Sequence, residues 1–227
     1  MGGPERSRPA PSTLPRATAK RYARPVRIPR CADPPGDEVT PLPDVSLGLY
    51  ARVLGSALRQ LAEPVRLAHA AESTLRGRFR ITHGRGYVAR VLAALLRLPR
   101  PSRAAETRVV IATCGDRQQW RRSFDDRHLD TWQYQTGDCE LGERIGVLEF
   151  RFRLDASNGS LVFRQLEAAF VLGSVRLRLP AAWAPRIEAR EDPAGASQIG
   201  ICVRVVLPGV GPLLAYEGTI EVEDNHG

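Results

Sequence analysis

The stretch at residues 147–172, VLEFRFRLDASNGSLVFRQLEAAFVL, decides the fold class. In its first half Leu148, Phe150, Phe152 and Leu154 alternate with Glu149, Arg151 and Arg153. That is the two-residue period of a strand with one dry face and one wet one. Asn158 and Gly159 follow, the dipeptide best suited to the positive φ values of a tight hairpin turn. The chain then returns as a second apolar-rich segment. The stretch is an antiparallel hairpin.

The same period extends outward from it. TRVVIATC (107–114) reads as a strand, and SVRLRLP (174–180) sets Val175, Leu177 and Leu179 on one face. QIGICVRVVLP (198–208) does so with Ile199, Ile201, Val203 and Val205, and PLLAYEGTIEVE (212–223) with Leu214, Tyr216, Ile220 and Val222. GVGP (209–212) is the turn between these two. Further upstream, GRFRITH (77–83) places Phe79, Ile81 and His83 together.

Helical spacing is confined to the first half of the chain. Leu47, Tyr50, Leu54, Leu58 and Leu61 recur at three and four residues, with Asp44 or Ser46 as N-cap. PVRLAHA suggests a short second helix with Pro64 at its first position. Val88, Val91, Leu92 and Leu95 mark a third helix that stops at Pro99. The expected class is α+β: a curved, mostly antiparallel sheet, half-barrel or barrel-like, packed with two or three helices. Strands dry on one face must curl around something, whether helices, a second sheet or a cavity.

Composition limits what the protein can be. Of the 18 prolines, ten fall in residues 1–43, which also carry +4 of the net charge of +8. Such a segment buries too little apolar surface to offset its ordering entropy, so 1–43 is expected to be a disordered arm before a single domain at 44–227. Lys20 is the only lysine, and the excess charge is split between arm and domain. Specific nucleic-acid binding is therefore not expected. No apolar run is long enough for a transmembrane segment, and the N-terminus lacks a secretory apolar stretch, which points to the cytoplasm. Four cysteines without a CxxC pair suggest reduced thiols, and His128 and His226 fall in a loop and a tail; no metal is expected. GxSxG, Walker and GxGxxG motifs are absent, so no cofactor is expected either.

The candidate site starts from WRRSF (120–124). Read as a strand, it turns Trp120, Arg122 and Phe124 to one face, which leaves a guanidinium among aromatics. Such a group needs a carboxylate or an anionic ligand. In ELGERIG (140–146) Glu143 lies between Leu141 and Ile145 at spacing two, so it also points inward. His69 is on the Val65 side of its helix, His83 is beside Ile81, and Tyr216 is beside Leu214. The inward polar set is thus His69, His83, Arg122, Glu143 and Tyr216, within an otherwise apolar lining. A merely structural Arg–Glu pair and hydrogen-bonded core histidines would give the same pattern.

Taken in order, LAEPVRLAHA, GRFRITHGRGYVARVLAALLRLP, WRRSF, LGERIGVLEFRFRLD, LRLPAAWAPRIEARE and LPGVGPLLAYEGTIEV resemble the bacterial family known as domain of unknown function 4166, over roughly residues 57–223. The resemblance implies a module with no established reaction, sometimes fused to a dehydrogenase-like dinucleotide-binding domain. It singles out His69, Trp120, Arg122 and Phe124, the Glu143–Arg144 step, the run Leu179, Pro180, Ala184, Pro185 and Arg186, and Tyr216 with Gly218. Against that pattern this chain is expected to add the basic arm and to lack the fused domain, which puts a redox partnership in doubt.

Three functions fit these residues. The first is binding of a small hydrophobic molecule, lipid-, polyketide- or isoprenoid-like, whose anionic or carbonyl end meets Arg122. The second is metal-free isomerisation or cyclisation of such a substrate, with Glu143 or His83 moving a proton. The third is a ligand-free partner module for a dehydrogenase-like protein, which an exposed apolar helix face would favour.

Overall fold

The structure, a computed structural model, describes residues 48–223. The asparagine–glycine turn forms as expected: Asn158 and Gly159 have φ of 51° and 83°. It joins β6 (Leu148–Ser157) to β7 (Ser160–Leu172) in a long antiparallel ladder. Preceding them are β1 (Ser73–His83), β2 (Ser102–Cys114), β3 (Arg117–Phe124), β4 (Arg127–Gly137) and β5 (Glu140–Ile145). Following them are β8 (Val175–Arg178), β9 (Arg186–Pro193), β10 (Gln198–Leu207) and β11 (Gly211–Val222).

Every neighbour pair is antiparallel, in the order β6-β5-β4-β3-β2-β1-β11-β10-β9-β7, and the β6–β7 pairing closes the ring. The result is a closed barrel of ten strands. Closure leaves no free edge in the ring, a liability that open antiparallel sheets must manage otherwise. The short β8 hangs outside it, on the upper half of β7. Where β8 and β9 part, the Gln165 side chain takes over from backbone pairing. Its amide donates to the Pro185 carbonyl at 2.8 Å and accepts from the Ile187 N–H at 2.6 Å.

Two glycines let the wall coil tightly. A Cβ on Gly77 would lie 2.0 Å from the Thr219 carbonyl oxygen, and one on Gly218 would lie 2.1 Å from that of Arg78. The β1–β11 backbones thus approach more closely than side chains at these positions would permit.

The helical segment forms the floor. α1 (Leu49–Leu54), a 3-10 turn (Gly55–Gln60) and α2 (Glu63–Ala68) cross one end of the barrel. They are tied to the strand turns there: the Cys139 N–H donates to the Val53 carbonyl at 2.9 Å, and Ala62 and Gly159 are joined at 3.0 Å. Leu49, Tyr50, Val53 and Val65 drop into the barrel core. α3 (Tyr87–Leu95) lies at the opposite end between β1 and β2, held by Ala89 and Ala93 against Leu213.

Several expectations need correction. The first helix is not continuous; it breaks at Gly55, where φ is 53°, and its start is at Leu49 behind Gly48. The caps proposed at Asp44 and Ser46, the arm at 1–43 and His226 lie outside the described residues. Pro64 occupies the second position of α2, after Glu63. β4 and β9 are full strands, so His128 is on a strand and not in a loop. Val175 and Leu177 do not face the core, since β8 is exposed along its length. In α3 it is the alanines that pack, while Val88, Val91 and Leu95 face outward. Cys114 is disulfide-bonded, whereas Cys139 and Cys202 are free thiols. Among the described residues no helix is long and apolar enough to cross a membrane.

Candidate functional site

A cavity of about 440 Å³ occupies the barrel interior, within the range of small-molecule sites. It is lined by the inward faces that the two-residue period defines: Phe79 of β1, Val109 of β2, Phe150 and Phe152 of β6, Val203 and Val205 of β10. Its polar groups come from the floor and from the lower and middle parts of the wall. At the mouth, which lies at the α3 end, the lining is apolar: Leu96, Leu98, Val147, Leu148, Pro185 and Leu213.

The polar centre is the Arg122–Glu143 pair. Arg122 on β3 reaches diagonally across β4, donating to Thr131 Oγ1 at 2.8 Å and to Glu143 Oε1 on β5 at 3.1 Å. Its guanidinium also sits 4.9 Å from the Trp120 ring centre, a cation–π contact. Both ionic side chains retain only 14% exposure. Burial opposes the Arg122 charge, but the Glu143 carboxylate, helped by Tyr216 and Tyr50, holds its pKa above the ordinary arginine value. The guanidinium has five N–H donors, so the two contacts leave others for a ligand.

A second polar group rises from the floor. His69, the residue that caps α2, brings Nε2 to 2.6 Å from Glu191 Oε2 on β9. Tyr50 of α1 stacks on the His69 ring at 3.9 Å and donates its hydroxyl to Gln133 Oε1 at 2.9 Å. Gln133 in turn sits directly opposite Glu143 in the β4–β5 register. Burial, then the Glu191 and Glu143 carboxylates, push the Tyr50 phenol well above its usual range. Tyr216 packs edge-on against Phe79, 5.6 Å between centres, and its hydroxyl has no partner among the described residues. Burial pushes its pKa up to about 12, so at neutral pH it is a hydrogen-bond donor facing the cavity.

Of the residues singled out from sequence, Trp120, Arg122, Glu143 and Tyr216 line the cavity together. His69 lies behind the lining, reaching it through Glu191 and Tyr50. His83 does not join them. It donates to the Pro99 carbonyl at 2.7 Å and so pins the segment after α3 to β1. Arg186 is also elsewhere, on the outer surface at the start of β9, because alternation turns Ile187, Ala189 and Glu191 inward instead. Glu191, Gln133 and Tyr50 were not anticipated. For Glu191 the signal was present in the alternation of RIEARE; for Gln133 it was not, since β4 turns Thr131 and Gln133 inward and Trp132 and Tyr134 outward. Among the described residues no cluster of His, Cys, Asp and Glu could hold a metal ion.

Comparison with known proteins gives a family but no activity. The sequence profile of the Domain of unknown function (DUF4166) matches residues 61–220. No curated protein matches the sequence. Among solved structures, a protein of unknown function from the DUF3598 family of Nostoc punctiforme is similar at 12% identity and a TM-score of 0.43, covering 66% of this chain. The chain matches about half of that protein's length, 47%.

Proposed function

The chain belongs to the DUF4166 family, and we propose that it binds a small hydrophobic molecule inside its barrel. The observation that carries this reading is the combination of an apolar cavity and a mouth lined without polar groups, above a few buried donors. A lipid-, polyketide- or isoprenoid-like ligand would enter tail-outward, its polar end near Arg122 and Tyr216. Because Glu143 already meets the Arg122 charge, a carbonyl or hydroxyl end suits the site better than an anion. An anion would have to displace Glu143 and leave that carboxylate buried without its partner.

Native mass spectrometry of the protein as purified tests this. The expected result is a population carrying one apolar molecule of mass matched to the cavity, released by organic solvent. A chain that purifies empty and takes up no member of these ligand classes would overturn the reading.

One observation favours a metal-free isomerase or cyclase acting on the same ligands. Glu191 lines the cavity while His69 Nε2 holds its Oε2 at 2.6 Å, an arrangement that suits a carboxylate positioned to take a proton. If so, ligand incubated with the protein is recovered as an isomer, and Glu191→Gln abolishes the conversion while leaving binding intact. Recovery of unaltered ligand favours binding alone.

A further inference from the structure

The connections β1–α3–β2, β3–β4, β5–β6, β7–β8–β9 and β10–β11 all lie at the mouth end, as alternation of antiparallel strands requires. That end also collects most of the exposed large apolar side chains. Tyr87, Leu95 and Leu96 of the α3 region, Val147 of the β5–β6 turn, Leu172 of the β7–β8 hairpin and Trp183 before β9 are each half to three-quarters exposed. Isolated exposed leucines mean little, but a set ringing the entrance of an apolar cavity marks a contact surface.

Charge identifies the kind of surface. Segment 84–101 holds four arginines and no acid. In segment 173–186 Arg176 and Arg178 are paired with Glu149 and Glu167, so only Arg186 adds to the free charge there. Arg85, Arg90 and Arg97 are exposed and form no ion pair among the described residues. Arg100 has only the exposed Asp126, at 3.5 Å. Unneutralised arginines interleaved with exposed aliphatic and aromatic groups fit an interface whose headgroups are anionic and whose interior is hydrocarbon.

We infer that the mouth end of the barrel docks on an anionic lipid bilayer, with Trp183, Leu95 and Leu172 entering the headgroup layer and the arginines of segment 84–101 meeting lipid phosphates. Docked so, the apolar mouth opens directly onto the membrane. Docking goes beyond ligand binding and can fail without it, because cavity uptake is measured in solution.

The test is flotation of the full chain with equimolar phosphatidylglycerol–phosphatidylcholine vesicles and with phosphatidylcholine alone. The expected result is partitioning onto the anionic vesicles only, weakened by salt. It should be accompanied by a blue shift of tryptophan emission that Trp183→Phe removes. Leu95→Glu with Leu172→Glu should lower partitioning by about tenfold or more while the melting temperature holds, since both side chains are exposed. Three outcomes overturn the inference. One is no flotation with anionic vesicles, which would leave the face to a protein partner. Another is flotation that the double substitution leaves intact, which would place membrane attachment elsewhere in the chain. The last is self-association dispersed by those substitutions without vesicle binding, which would assign the face to a second copy.

Discussion

Arg122 and Glu143 illustrate what two-residue periodicity can and cannot predict. Each is placed inward by its immediate neighbours, and the structure joins them at 3.1 Å across an intervening strand. Removing one partner leaves a buried, uncompensated charge. Arg122→Met and Glu143→Leu are each expected to cost about 3–5 kcal/mol, and the double variant to recover most of it. A double-mutant cycle by urea denaturation measures the coupling; additive losses would mean that neither charge depends on the other. The tyrosines offer a second check. Tyr216 is pushed up to about 12 by burial, and Tyr50 and Tyr134 are raised for the same first reason. A phenol in the unfolded chain ionises near about 10, so between these values only the unfolded state sheds the proton. The stability Tyr216 contributes is therefore intact below about pH 10 and lost as pH climbs through about 12, and the contributions of Tyr50 and Tyr134 are likewise lost on the alkaline side. Ultraviolet titration should show three of the five tyrosines ionising only as the fold is lost. Tyr50 stood in the apolar stripe of the first helix, where nothing marked its hydroxyl as part of the site, and Gln133 contributes nothing to an apolar pattern although it faces inward.

Strands with an apolar inner face were legible in the sequence, and β6, β7, β10 and β11 lie where alternation puts them. β4 was not legible. Its inward positions include Thr131 and Gln133 while its aromatics face out, so the hydrophobic signal has the wrong phase. β9 alternates too, but Arg, Glu and Asp occupy so many of its positions that the apolar stripe shrinks to Ile187 and Ala189. α3 misleads in the opposite direction, since Val88, Val91 and Leu95 face solvent while its alanines and Leu92 pack. Gly218 sits in the tightly coiled β1–β11 contact, where any Cβ meets the Arg78 carbonyl. Gly218→Ala should force the two backbones apart and cost about 1–3 kcal/mol, the usual range for overpacking. Thermal unfolding measures it. Unchanged stability would show that the wall relaxes there without penalty.

Across the whole molecule, one-sided strands required an interior, but the sequence left its contents open among helices, a second sheet and a cavity. The helices settle as a floor and a rim, the described residues form no second sheet, and the closed ring encloses a space. The direct measurement of binding in that space is titration of the intact protein with a fluorescent polyene fatty acid and its methyl ester, repeated on Ala189→Phe and Val203→Phe, which fill the cavity from β9 and β10. If the cavity is a binding site, uptake is saturable at one molecule per chain, with the ester bound at least as well as the acid. Uptake is then lost in whichever filled variants keep the melting transition of the parent. No saturable uptake by the parent chain, or uptake that survives in a folded variant whose cavity is filled, would contradict binding in the cavity.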